Sequence, residues 1–178
     1  MKKVVILVLI KLFLITNIVK AQQSSYQTFA SEGFKVKCDC RLYVNTSFIQ
    51  LVKKQGINNL LGAYVCAENE NNPDIAVIFN ININDLSDSY KTISAGGYSQ
   101  FEKSFLDDYA FNLRSLGYPF SYTTYQGVSA LEYSFNQMGM PTKAIIFIKN
   151  KKTYLLQVAT RRNLAAKYNT LKTSFQFL

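Results

Sequence analysis

Hydrophobic and polar residues alternate with a period of two in several stretches of the chain, which is the pattern of strands with one buried face. The clearest run is IAVIFNINI at residues 75–83, where every odd position is apolar. A second run, FKVKCDCRL at residues 34–42, places its apolar residues and two cysteines on one face. Residues 62–68 (GAYVCAE) predict a further strand. The run at 75–83 predicts a central strand with one face on the core.

Helical spacing appears in three other places. The sequence NTS, beginning at Asn45, resembles a helix start, and the apolar residues after it predict a short helix that Gly56 ends. An apolar residue recurs every three or four positions from Tyr98 to Leu116, which predicts a long amphipathic helix stopped by Gly117. The same spacing from Leu164 to Phe175 predicts a closing helix, with the last residues docked on the body of the protein.

The second half of the chain returns to β patterns. Residues 121–135 (SYTTYQGVSALEYSF) predict one or two strands, with a bulge or bend at Gly127. Residues 144–149 (AIIFIK) and 153–160 (TYLLQVAT) flank a predicted hairpin turn. Strands and helices in this order predict one α+β domain, in which a mainly antiparallel sheet is covered by the long helix and the C-terminal helix.

The first 21 residues have the layout of a secretory signal peptide, with two lysines, an apolar run and small residues before a cleavage site after Ala21. A membrane-spanning helix is the alternative, but Lys11 near its centre would cost about 2.5–3.5 kcal/mol. Residues 22–33 are polar and small and predict a flexible leader, so the folded domain is predicted at residues 34–178. The mature protein is expected in a periplasm or outside the cell, without an integral membrane span.

Loss of that peptide removes four lysines and lowers the formal net charge from +9 to +5. Such a modest basic excess on an exported chain does not favour nucleic acid as a partner.

Three cysteines are present, and an exported pair tends to form a disulfide. If the strands at 34–43 and 63–69 run antiparallel, Cys40 faces Cys66, whereas a slipped register brings Cys38 to Cys66. The pairing of Cys40 with Cys66 is slightly favoured. The third thiol is then either an inert buried hydrophobe or a resolving or intermolecular thiol.

The chain has no histidine, which excludes Ser/His/Asp and Cys/His nucleophiles and the commonest metal ligand. Three cysteines complete a zinc site only with a carboxylate, so no metal and no cofactor is expected. Asp107 and Asp108 are adjacent on the long helix and point in different directions. These observations predict a protein that is not an enzyme.

Two surfaces are candidate binding sites. The first is aromatic and would hold a hydrophobic or sugar-like ligand, although half of its side chains could equally face the core of an edge strand. Its residues are Tyr118, Phe120, Tyr122 and Tyr125, with Tyr98 and Tyr109 on the long helix. The second is basic and would meet an anionic lipid or an acidic protein, or it is simply a soluble hairpin tip. Its residues are Lys149, Lys151, Lys152, Arg161 and Arg162.

The long helix followed by GYPFSYTTYQGVSALEYSF, the hairpin AIIFIKNKKTYLLQVAT and the ending LKTSFQFL resemble the PsbP-like superfamily of extracytoplasmic domains. The opening GFKVK resembles the first strand of that superfamily, and the likeness covers residues 33–178. The proline and tryptophan that often follow this strand are absent, since CDCRLYVNT stands there. The resemblance implies an uncharacterised bacterial secreted branch with binding or assembly roles.

The sequence therefore predicts a secreted, non-catalytic domain that binds a protein or a cell-envelope component. One alternative is a carrier of a small apolar ligand between the long helix and the sheet. Another is a thiol-dependent envelope enzyme that uses Cys38 or Cys40.

Overall fold

The computed structural model describes residues 25–72 and 74–178, so the predicted signal peptide lies outside the described residues. The described chain forms ten strands and four α-helices. The strands are β1 (Gln27–Phe29), β2 (Phe34–Val36), β3 (Tyr43–Val44), β4 (Leu60–Glu68), β5 (Val77–Asp85), β6 (Phe120–Tyr125), β7 (Val128–Gln137), β8 (Met140–Lys149), β9 (Lys152–Thr160) and β10 (Gln176–Phe177). The helices are α1 (Thr46–Lys54), α2 (Ser87–Lys91), α3 (Tyr98–Ser115) and α4 (Leu164–Ser174).

Seven strands form a large antiparallel sheet in the order β3-β4-β5-β9-β8-β7-β6. Strands β1, β2 and β10 form a second, three-stranded sheet. The prediction of an α+β domain with a mainly antiparallel sheet is confirmed. Strand β5 is central, as its alternating sequence predicts, because it pairs along its length with β4 and β9.

Three two-residue turns connect β6 to β7, β7 to β8 and β8 to β9 in the large sheet. Gln126-Gly127, Met138-Gly139 and Asn150-Lys151 have φ between 48° and 81°, in the left-handed region that tight hairpins use. The bulge or bend predicted at Gly127 is therefore a complete chain reversal, with Tyr125 paired to Val128. Glycine takes the positive φ without strain because it has no Cβ. Residues 121–135 thus belong to two strands, β6 and β7.

One face of the large sheet carries the main core. Helix α4 and the three-stranded sheet cover this face, and its centre is filled by Ile81, Ile145 and Leu156, which are fully buried. The predicted docking of the C-terminal residues is confirmed, since Phe175 lies in this core and β10 pairs with β2.

Helix α3 covers only part of the opposite face. Its apolar side, Leu106, Ala110 and Leu113, packs on Leu131 of β7 and Ile146 of β8. The long amphipathic helix predicted at 98–116 is thus confirmed; it ends at Ser115, and Gly117 turns the chain away with a φ of +70°. The core under α3 lies over strands β6, β7 and β8 and reaches Leu155 of β9, and none of its described members lies on β4 or β5.

The run at 34–42 is not one strand, which corrects the sequence interpretation. Strand β2 belongs to the small sheet and β3 to the large one, so residues 37–42 cross between the sheets outside both ladders. The Ser174 hydroxyl satisfies the crossing backbone by accepting from Lys37 N at 2.9 Å and donating to Lys37 O at 3.1 Å. Side chains at residues 37–42 still alternate between more buried and more exposed positions, so the sequence pattern of this segment resembles that of a strand.

Part of the predicted leader at residues 22–33 is folded. Strand β1 pairs with β2, and Phe29 stacks on Phe34 with ring centroids 4.8 Å apart. The Gln27 side chain accepts from Leu42 N at 2.7 Å and donates to Cys40 O at 2.8 Å. The ordered sheet thus begins before residue 34, because one phenylalanine and one glutamine anchor an otherwise polar segment.

Candidate functional site

A row of asparagines lies on the face of the large sheet that α3 leaves open. Strand β5 buries its apolar side in the main core and presents Asn80, Asn82 and Asn84 on its other side. All three are partly exposed. Asparagine is depleted in strands because it fits a pleated, half-buried surface poorly. A polar row on a central strand therefore marks a part of the sheet that solvent or a ligand reaches.

Asn80 and Asn82 form the floor of a groove of about 480 Å³, whereas Asn84 lies outside it and donates to Thr153 Oγ1 at 3.1 Å. Five of its lining side chains are amides, and we call it the amide groove. They are Asn45, Asn80, Asn82, Gln137 and Gln157. None of the described residues that line the groove carries a charge at neutral pH. The site is thus polar but electrically neutral.

The amides of the groove differ in whether they already make side-chain hydrogen bonds within the protein. Asn45 Oδ1 accepts from Phe48 N at 3.0 Å and caps α1, which confirms the helix start predicted there. Gln157 donates to the side-chain oxygen of Gln137. Within the described chain, Asn80 and Asn82 make no side-chain hydrogen bond, and their donors and acceptors remain free for water or a ligand.

Apolar side chains complete the walls of the amide groove. Phe48 reaches it from α1, and Phe135 lines it from β7, where its ring stacks on Tyr133 and Tyr118 at 5.7 and 5.4 Å. Met138, at the β7–β8 turn, is 86% exposed. The groove combines a hydrogen-bonding floor with an apolar rim, as small-molecule sites commonly do.

The predicted aromatic surface at residues 118–125 does not form one patch. Tyr125 is buried on the core face, where its hydroxyl donates to Lys172 O at 2.6 Å. Phe120 and Tyr122 point to the α3 side, since alternation along β6 separates them from Tyr125. Tyr118 packs on Phe135. Only Tyr122 of the four is largely exposed.

The two tyrosines of α3 in the same prediction serve packing. Tyr109 and Tyr133 share a hydrogen bond of 2.8 Å between their hydroxyls, and Tyr98 packs edge-on against Tyr90 at 4.8 Å. A cleft of about 440 Å³ does lie between α3 and the sheet, and Tyr122 lines it. Its rim is ionic, because Asp107 pairs with Lys103 at 2.6 Å and accepts from Tyr122 at 2.7 Å.

The five predicted basic residues occupy two places. Lys149, Lys151 and Lys152 lie at the β8–β9 turn, whereas Arg161 and Arg162 follow the far end of β9. Eight residues of β9 (153–160) lie between Lys152 and Arg161, which places the Cα atoms of these two residues about 30 Å apart. Arg161 is engaged by Asp74 at 2.7 Å. A single small anion therefore cannot contact both groups at once.

The structure contains the Cys40–Cys66 disulfide, with the Cα atoms 5.9 Å apart. It ties the crossing segment to β4. Cys38 is free and only 3% exposed, and its thiol donates to Cys40 O at 3.0 Å. Burial raises the pKa of the Cys38 thiol to about 11. The thiolate that nucleophilic or redox chemistry needs is therefore disfavoured at neutral pH.

Glu132 forms an ion pair at the border of the main core. Its carboxylate accepts from the Tyr168 hydroxyl at 2.8 Å and pairs with Lys172 of α4. Burial by itself would raise the pKa of Glu132, but the hydrogen bonds from Lys172 and Tyr168 outweigh it and hold the pKa below its usual value. This contact joins α4 to β7.

We expect Glu132→Gln to lower the free energy of unfolding by about 1.5–3 kcal/mol at pH 7, because it removes a charged acceptor. The folded pKa lies below the unfolded value of about 4.3, so the stabilisation is complete above that value and is lost as the pH falls through the folded pKa. Urea unfolding at pH 7 and pH 3 measures the difference. The exposed Glu70→Gln is the control, and a difference that stays constant with pH would contradict the assignment.

Within residues 25–72 and 74–178, no group of acidic or cysteine side chains is arranged to hold a metal ion. No helix of the same part of the chain is long and apolar enough to cross a membrane.

The strand order and the amide groove together define an α+β domain whose large sheet has one partly open polar face. No protein-family model matches the sequence, and no curated protein shows significant sequence similarity to it. Among solved structures, the chain is similar to cyanobacterial PsbP (CyanoP) from Synechocystis sp. PCC 6803, known from a solution structure. The likeness has 14% identity and a TM-score of 0.36, and it covers 86% of this chain and 92% of that chain. At so low a TM-score, the architecture rests on the strands and helices described above.

Proposed function

We propose that this protein is a secreted, non-catalytic domain that binds a protein or cell-envelope component through the amide groove. The observation that carries the proposal is the pair of unbonded amides, Asn80 and Asn82, on the open side of a central strand. Asparagine is disfavoured in the middle of a central strand, so stability alone does not account for two of them side by side on this face. Their presence in a concave site favours a binding role.

Secretion is supported by two independent features. The first is the sequence of residues 1–21, which has the layout of a signal peptide for export from the cytoplasm. The Cys40–Cys66 disulfide suits an oxidising compartment, where such bonds persist.

The carrier alternative has less support. The space between α3 and the sheet is filled by Leu106, Ala110 and Leu113. The adjoining cleft has two apolar side chains, Leu106 and Ile148, beneath an ionic rim. An apolar ligand would have to desolvate that rim, and this costs free energy without a compensating contact.

The thiol-enzyme alternative has less support still. Cys40 is engaged in the disulfide, and Cys38 is buried with a raised thiol pKa. A redox pair would require an accessible thiolate beside a second free sulfur.

Site-specific photo-crosslinking in the native host tests the binding role. We expect a photoreactive residue in place of Met138 to yield a discrete crosslinked species, because this side chain is 86% exposed at the rim of the amide groove. The same residue in place of Phe111, which is 65% exposed on the outer side of α3, should yield none. Equal labelling from both positions, or none from position 138, would contradict the proposal.

A further inference from the structure

We infer that the amide groove recognises an uncharged glycan segment; this inference rests on the proposed binding function. Three observations carry it: the groove is neutral, its hydrogen-bonding groups are side-chain amides, and its rim is apolar.

The neutrality of the groove selects the class of ligand. The whole chain has a formal charge of +9 with 20 lysines and arginines, yet none of these residues lines the groove. Phosphate, sulfate and carboxylate groups are held in proteins by arginine and lysine through charge-assisted hydrogen bonds. Anionic lipids, nucleic acids and acidic polysaccharides would therefore meet no cation there, and a cationic ligand would meet no carboxylate.

The backbone of the groove floor is already satisfied. Asn80 and Asn82 pair through their strand with β4 on one side and β9 on the other. An extended peptide commonly binds by adding a strand to an exposed sheet edge, which this floor does not offer. A ligand in the groove must therefore be recognised by the side-chain amides. Each amide places one acceptor oxygen beside two N–H donors, which matches the paired hydroxyls of a sugar ring.

The apolar rim suits the remaining surface of a sugar. A pyranose ring presents C–H groups on its faces and hydroxyls around its edge. Phe48, Phe135 and Met138 supply apolar contact for the faces, while the asparagines reach the edge. A volume of about 480 Å³ lies within the usual range of about 300–1,000 Å³ for small-ligand sites. The groove therefore accommodates a short segment of a chain and not a whole polymer.

Titration of the secreted, disulfide-bonded protein with neutral tetrasaccharides tests this inference. The probes are cellotetraose, maltotetraose and tetra-N-acetylchitotetraose, with tetragalacturonate as the charged comparison, and binding is followed by NMR of the side-chain amide signals. We expect at least one neutral probe to shift the signals of Asn80 and Asn82. Asn82→Asp keeps the side-chain shape but removes both N–H donors, and it should weaken binding roughly tenfold or more.

Asn112→Ala, on the exposed side of α3, is the matched control and should leave the affinity unchanged. Asn80→Ala with Asn82→Ala provides a second test, in which thermal unfolding verifies the fold. Equal affinity in Asn82→Asp, or preference for tetragalacturonate, overturns the inference. A crosslink from position 138 without any sugar binding overturns the glycan assignment and leaves the proposed function standing. The absence of both defeats the two together.

Discussion

Replacement of Cys40 and Cys66 by alanine is expected to lower the free energy of unfolding by about 3–4 kcal/mol. The bond closes a loop with a sequence separation of 26. On the chain-entropy model, its removal raises the conformational entropy of the unfolded chain, which lowers the free energy of unfolding by roughly that amount. For a protein of this size the melting temperature should fall by roughly 10 °C. Calorimetry of the oxidised wild type and the double variant measures the change.

Cys38→Ala is the matched control for the disulfide, since it changes a neighbouring cysteine that takes no part in the bond. We expect a loss of about 1 kcal/mol, typical of a conservative buried substitution. Single replacement of Cys40 is a separate case, because it leaves Cys38 free to pair with Cys66. If the double variant were as stable as Cys38→Ala, the disulfide would contribute nothing to the free energy of unfolding.

The sequence predicted the elements in which local pattern and tertiary packing agree. The long helix α3 and the central strand β5 each bury the face that their periodicity marks. The asparagine cap of α1 was also visible, since the side-chain oxygen of Asn45 satisfies a free backbone N–H of the first turn.

The sequence did not predict that one continuous alternating run is divided between two sheets. Residues 34–42 alternate without a break, but β2 and β3 pair with different partners. Alternation records which side chains are buried and carries no information about which ladder the backbone joins. Strand β1 was missed for another reason: it has only three residues in a mostly polar segment, too few for an alternating pattern to be recognised.

The amide groove could be predicted only in part. Its signal, asparagine at positions 80 and 82, is present in the strand that the apolar pattern identified. The coverage of this face depends on where α3 packs, and periodicity within α3 does not determine that. The remaining walls come from α1 and from the β7–β8 turn, which are brought together only by the fold.

Phe175→Ala is expected to lower the free energy of unfolding by about 3–5 kcal/mol, the usual cost of emptying a buried phenylalanine site. The side chain is 1% exposed. Its ring stacks on Phe34 of the small sheet at 5.1 Å and meets Phe147 and Tyr154 of the large sheet at 6.1 and 5.8 Å. Phe175 thus packs against both sheets at the end of α4, and its truncation should weaken the packing of the small sheet on the large one.

Phe111→Ala removes the same atoms from an exposed position on α3, where 65% of the side chain is accessible. It should change the stability by no more than about 0.5 kcal/mol. Urea unfolding of the two variants in parallel separates the cost of emptying a buried site from the effect of truncating an exposed phenylalanine. If both variants had similar stability, Phe175 could not be the contact that holds the small sheet on the large one, and the C-terminal strand would contribute little to the core.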